Sequence, residues 1–108
     1  MRIPKSFKLF GSTIKVVDNP RLSIDRNWNA AACFMEQRIE MMPIIETHPQ
    51  SKTKREQAFC HELMHFILYY GSGAINDKFK PSYAHLDEEF VECMGNLLHQ
   101  ALTTMEYK

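Results

Sequence analysis

Polar and apolar residues alternate at the start of the chain. "SFKLF" over 6–10 and "TIKVV" over 13–17 each put their apolar side chains on one face, and Gly11-Ser12 between them offers a turn. Asp18-Asn19-Pro20 ends the second run, so this segment reads as a β-hairpin. After a connection over 21–29, "AACFMEQRIEMMPII" predicts a second pair of strands, about 30–35 and 38–45, with Glu36-Gln37 as the turn. Pro43 has no N–H to give to a ladder, which favours an edge position or a bulge for the later strand.

The period then changes. "THPQSKTKREQ" is polar, and beyond it Phe59, Cys60, Leu63, Phe66, Ile67 and Tyr70 recur at helical spacing. Thr53 and Glu56 make a T-x-x-E capping box, so a helix is expected to open near Lys54, run through Tyr70 and stop at Gly71. Residues 72–86 contain Pro81 and lack periodicity; they read as a loop long enough to form a lid or flap. Asp87 is a good N-cap for a second helix over about 88–105, with Glu88 and Glu89 suiting the dipole of its first turn. Its apolar stripe is Val91, Met94, Leu98, Ala101, Leu102 and Met105, with Phe90 and Leu97 beside it. The expected fold is α+β: a small antiparallel-type sheet of three to four strands followed by two helices, in a single domain over 1–108.

Composition narrows the class. At 108 residues and 44% apolar, the chain suits one modest core. It has neither a transmembrane-length apolar run nor a signal-peptide apolar segment, so a cytoplasmic location is expected. Cys33, Cys60 and Cys93 are odd in number and unpaired in spacing, which fits reduced thiols. Net charge is zero but uneven: six basic against two acidic side chains over 1–28, one against five over 85–108. That reads as solvated, mutually attracting faces, and without a basic excess no nucleic-acid partner is expected.

One stretch carries candidate chemistry. "CHELMHFILYY", 60–70, contains H-E-x-x-H at His61, Glu62 and His65. With five His and nine Glu in the chain, a chance occurrence has a probability of about 2%. His61 and His65 are one helical turn apart and share a face, so both imidazoles can reach one metal ion. Glu62 lies about 100° round, placed to reach a water on that ion rather than the ion itself. It is the candidate catalytic base. Ala58, one turn before the pair, leaves room for a substrate or a second helix.

A catalytic zinc site needs a third protein ligand, and the helix beginning at 88 is the donor expected. Glu88, Glu92 and Gly95 form a stripe along one edge of it. An interior glycine costs a helix about 1 kcal/mol, which suggests close approach of the H-E-x-x-H helix there. The stripe favours Glu88 as ligand and Glu92 as the group holding a histidine N–H, while Glu89 and Glu92 remain alternative ligands. His85 is a further candidate ligand or transition-state donor, and Tyr83 a candidate oxyanion donor. Tyr69 is expected as a pocket wall, Cys60 and Cys93 as buried small residues, Met41, Met42 and Met64 as core filling, and His48 and His99 as surface residues.

Strands, a helix bearing "HELMH", a loop and a glutamate-opened helix together resemble the gluzincin metallopeptidases in their smallest form. More narrowly, they resemble the phage and mobile-element branch related to ImmA/IrrE-type metallopeptidases. The likeness spans nearly the whole chain, while its specific part is His61, Glu62, His65 and the acidic cluster 88–92. It implies zinc held by His61, His65 and Glu88, with Glu62 as base. "EEFVECMG" departs from the E-x-E-A-N-x-F-A usual in those relatives; aligning Val91, Met94 and Gly95 with its A, F and A puts Glu88 on the first Glu and Glu92 on the Asn. The resemblance implies hydrolysis of a protein substrate such as a phage or mobile-element repressor. The strand at 38–45 is a candidate to pair with that substrate in extended form. The alternative is a zinc-stabilised regulatory module that captures a protein and cleaves nothing, with the basic residues of 1–28 as its docking face.

Overall fold

The computed structural model describes residues 1–25, 28–71 and 87–107. The fold is α+β, with four strands followed by two long helices: β1 (Ser6–Leu9), β2 (Ser12–Asp18), the short α1 (Leu22–Asp25), β3 (Ala30–Cys33), β4 (Arg38–Met41), α2 (Lys52–Gly71) and α3 (Glu88–Thr104). Both hairpins expected from the alternation form, but their turns differ in detail. The first turns on Phe10 and Gly11, both at positive φ (49° and 77°), with Leu9 and Ser12 already paired, so it sits one residue earlier than Gly11-Ser12 suggests. The second closes with Gln37 at φ 53°, its N–H donating to the Phe34 carbonyl.

The strand order is β1-β2-β4-β3, and β2 pairs with β4 in parallel. The sheet is therefore mixed, where alternation and turns alone suggest an antiparallel one. β4 takes a central place because Ile39 and Met41 are its fully buried positions, whereas β3 offers only alanines and a half-buried cysteine and lies at the edge. Pro43 falls just beyond the end of β4, so it never competes for a ladder hydrogen bond.

Phe7, Leu9, Ile14, Val16, Ala30, Ala32, Ile39 and Met41 share one sheet face, and α2 covers it with Phe59, Cys60, Phe66 and Tyr70. Met42 and Met64 are also buried, as core filling. α2 opens two residues earlier than the T-x-x-E spacing predicts. Ser51 is the cap: its Oγ accepts from the Lys54 N–H at 3.0 Å, while Thr53 is already helical. Glu56, freed from a capping role, is buried 3.0 Å from His99 Nε2 and 3.3 Å from the Met1 amino group.

That contact corrects the reading of α3. His99 is buried rather than on the surface, and the inward face of the helix runs Val91, Gly95, His99, with Met94, Leu98 and Leu102 half-buried beside it. Leu97, Ala101 and Met105 are exposed. Cys93 is exposed too, unlike Cys60. A histidine can occupy the face expected for an apolar residue because Glu56 satisfies its ring nitrogen. His48, also expected at the surface, is half-buried with Nε2 2.8 Å from Asn29 Oδ1.

Candidate metal centre

The site lies where α2 and α3 touch. Gly95 allows the contact: a Cβ built there would stand 3.0 Å from His61 Cα, 3.2 Å from His61 N and 3.3 Å from the Cys60 carbonyl. Only a glycine lets the backbones meet this closely, the role expected from the stripe. Asp87 caps α3, its Oδ1 accepting from the Phe90 N–H at 3.1 Å. The cap fixes the first turn of α3, and with it Glu88.

Glu88 reaches both histidines. Its Oε2 lies 2.9 Å from His61 Nε2 and its Oε1 2.9 Å from His65 Nε2, while the two imidazole nitrogens are 3.2 Å apart. A ligand atom from each of the three residues falls within 4.8 Å of the others, so they could hold a metal ion. Glu92, one turn on, accepts at Oε2 from His61 Nδ1–H at 2.7 Å. That bond fixes the tautomer of His61 and leaves its Nε2 with a lone pair aimed at the carboxylate of Glu88. Lone pairs converging in this way are the arrangement that a bound cation would satisfy. Tetrahedral zinc with bonds of about 2.1 Å separates its donors by about 3.4 Å, close to the spacings found, and two imidazoles with one carboxylate are a zinc donor set.

His65 is held from behind. Phe34, at the end of the β3–β4 hairpin, meets its ring edge-on with centroids 6.5 Å apart, and stacks on Tyr69 at 4.5 Å. Tyr69 therefore braces the aromatic cluster that orients His65. Phe34 carries no chemical signature in the sequence, and only the fold brings it here.

Glu62 is the unusual group. It is 7% exposed, and its Oε2 has no hydrogen-bond partner among the described residues. Burial, opposed by nearby His61 and reinforced by the charges of Glu88 and Glu92, pushes its carboxyl up to about 7. It lines, with His61, His65, Glu88 and Glu92, an open cleft of about 840 Å³. A half-ionised carboxylate facing a cleft can both take and return a proton near neutral pH. Cys60, by contrast, is fully buried and its thiol is pushed up to about 11 by burial, so it offers no nucleophile.

The far wall of the cleft is β3, an edge strand among the described residues, with Ala30–Ala32 lining it and Trp28 and Phe34 at its two ends. The strand at 38–45, expected to be open to a substrate, is not available: β4 is flanked by β2 and β3. Ala58 lines the floor, as its size suggests. Glu89 is exposed at the rim beside Glu88 and makes no contact with either histidine among the bonds described. Tyr83, His85 and the rest of the expected loop at 72–86 lie outside the described residues. No helix among the described residues is long and apolar enough to cross a membrane. Comparison of the chain with protein-family models, with curated proteins and with solved structures gives no match.

Proposed function

We propose that the protein is a zinc-dependent metallopeptidase that hydrolyses peptide bonds of a protein substrate in the cytoplasm. The observation that carries this reading is the pairing of two features in one cleft: three ligand atoms converging from His61, His65 and Glu88, and beside them the buried Glu62 carboxylate, whose Oε2 has no hydrogen-bond partner among the described residues. A structural zinc site needs no such carboxylate, and burying one without a partner is costly.

His61, His65 and Glu88 would hold the zinc, and Glu92 keeps His61 in the tautomer that can ligate. Bound there, zinc would supply a positive charge able to acidify water and to polarise a carbonyl. Glu62 takes the proton from the attacking water and delivers it to the leaving amine, from its place in the cleft beside the three ligand residues. An extended peptide adds along β3, the edge strand among the described residues, whose alanines line the cleft. The cleft is open and shared with a sheet edge, which suits a protein segment better than an enclosed small molecule.

The test is Glu62→Gln. Gln matches Glu in size and cannot accept the proton, so zinc stoichiometry should be kept while cleavage falls by about 10²–10⁴-fold. Zinc-loaded wild type and variant are incubated with repressors and regulators encoded beside this gene, and fragments are read by mass spectrometry. Equal cleavage by both proteins would remove Glu62 from the mechanism. Tight binding of a candidate without cleavage would instead favour a zinc-stabilised capture module.

A further inference from the structure

The cleft extends well beyond the three ligand residues. Residues 54, 61 and 65 fall within about 20° of one line along α2, so Lys54 stands on the same strip of helix surface as the two histidines, with Gln57 and Ala58 between. Lys54 is exposed, and it is the only Lys or Arg among the described residues lining the cleft. The other end of the same cleft is acidic, carrying Glu62, Glu88 and Glu92. The two ends therefore differ in charge along a single channel.

The opposite wall runs in register with this strip. Met42 N–H donates to the Asn29 carbonyl, and Gln50 Nε2 and Arg55 Nε donate to the Met42 carbonyl, so the start of β3 lies by the start of α2. At the other end of the hairpin strand, Phe34 packs on His65 and Tyr69. A peptide extended along β3 would thus travel from the histidines toward Lys54 and Trp28. Seven residues of helix separate Lys54 from His61, about 10 Å of axial rise, and an extended peptide covers that in about three residues.

We propose that Lys54 is a specificity-determining residue that selects peptides bearing a carboxylate about three residues from the bond held at His61, His65 and Glu88. The carboxylate can come from an Asp or Glu side chain or from a free C-terminus. Trp28 (45% exposed), which lines the same cleft, offers an aromatic face to the flanking residue. An acidic group is drawn to the Lys54 end, so that charge also sets the direction in which the peptide lies. This inference rests on the metallopeptidase reading for the identity of the ligand as a peptide.

The test uses ten-residue quenched fluorescent peptides with a central apolar pair and one Asp, Asn or Lys three or four residues to either side. A second set ends three residues beyond the central pair, with a free or an amidated C-terminus. Cleavage is measured with zinc-loaded wild type, Lys54→Gln and Lys54→Glu, and peptide binding is measured with the same three proteins carrying Glu62→Gln. Glu at position 54, the third helical residue after Ser51, is compatible with the cap, so the fold should persist. Wild type should favour the Asp peptide over Asn by about two- to fivefold, the size of an exposed ion pair, and less so at high salt. Lys54→Gln should lose the preference, and Lys54→Glu should invert it in favour of the Lys peptide, an exchange that a purely structural role for Lys54 would not produce. The two peptide sets tell a side-chain carboxylate from a terminal one. Cleavage without charge preference, or with one that Lys54→Glu leaves unchanged, overturns the Lys54 assignment and leaves the peptidase reading standing. Charge-selective binding with no cleavage supports Lys54 and removes the peptidase reading. Neither binding nor cleavage of any peptide overturns both.

Discussion

Replacing Gly95 by alanine tests the helix contact on which the whole site depends. The added Cβ would sit 3.0 Å from His61 Cα and 3.2 Å from His61 N, both backbone atoms that no side-chain rotation can move aside. Carbon atoms pack best at about 3.5–4.0 Å, so α2 and α3 must part by about 0.5–1 Å. Overpacking of this kind costs about 1–3 kcal/mol, while alanine returns about 1 kcal/mol of helix propensity. The net expectation is a loss of about 1 kcal/mol, or about 4–8 °C in Tm for a domain of this size. The functional effect should be larger. Glu88 and Glu92 ride on α3 and contact His61 at 2.9 and 2.7 Å, so parting the helices by half an ångström or more spoils both contacts. Zinc affinity should fall by about 10–100-fold, as when a partner of a ligating histidine is lost. Zinc titration with a competing chelator and thermal unfolding of the metal-free protein measure the two effects separately. Gly71→Ala is the control, because a Cβ there meets nothing within 4 Å. A Gly95→Ala protein as stable as wild type, with unchanged zinc affinity, would refute the close-contact reasoning.

Four further outcomes are expected. His61→Ala combined with His65→Ala should abolish stoichiometric zinc binding measured by elemental analysis; retention of one metal per chain would place the site elsewhere. Among single alanine variants at Glu88, Glu89 and Glu92, zinc affinity should fall most for Glu88 and by about 10–100-fold for Glu92, with Glu89 unchanged; the largest loss at Glu89 would contradict the geometry. In the metal-free protein, the Glu62 carboxyl is raised from 4.5 to about 7, so the folded state binds more protons than the unfolded one in that window and stability falls as pH rises through it, by about 3 kcal/mol in all. Glu62→Gln should flatten this part of the stability–pH curve, as read by denaturant unfolding at pH 5 and pH 8, and a curve unchanged by the substitution would mean that Glu62 is not the titrating group. His99→Ala strips the buried Glu56 carboxylate of its main hydrogen-bond partner and should cost about 1–3 kcal/mol; a thermal midpoint within a degree of wild type would show that pair to be incidental.

The sequence determined what depends on local periodicity. Strand alternation, the Asp87 cap and the run from Phe59 to Tyr70 set the elements, because backbone geometry turns residue spacing directly into a face. The same rule placed His61, Glu62 and His65 on their helix, and the oddity of an interior Gly95 pointed to the partner helix. What sequence could not decide was anything requiring two distant segments to meet. The parallel pairing of β2 with β4 depends on which strand is apolar enough for the centre of the sheet, a comparison made only when all four compete for burial. Glu56 matched a capping box as well as any glutamate could, yet the offer of His99 across the helix pair, 43 positions away, and of a serine two residues before Thr53 sent it inward. Phe34 became the brace of His65, and the alanines of β3 the wall of the cleft, through contacts between side chains that carry no chemical mark of their own. The raised carboxyl of Glu62 is likewise a tertiary property: the residue type is written in the chain, but the desolvation that raises it exists only once the helix is packed.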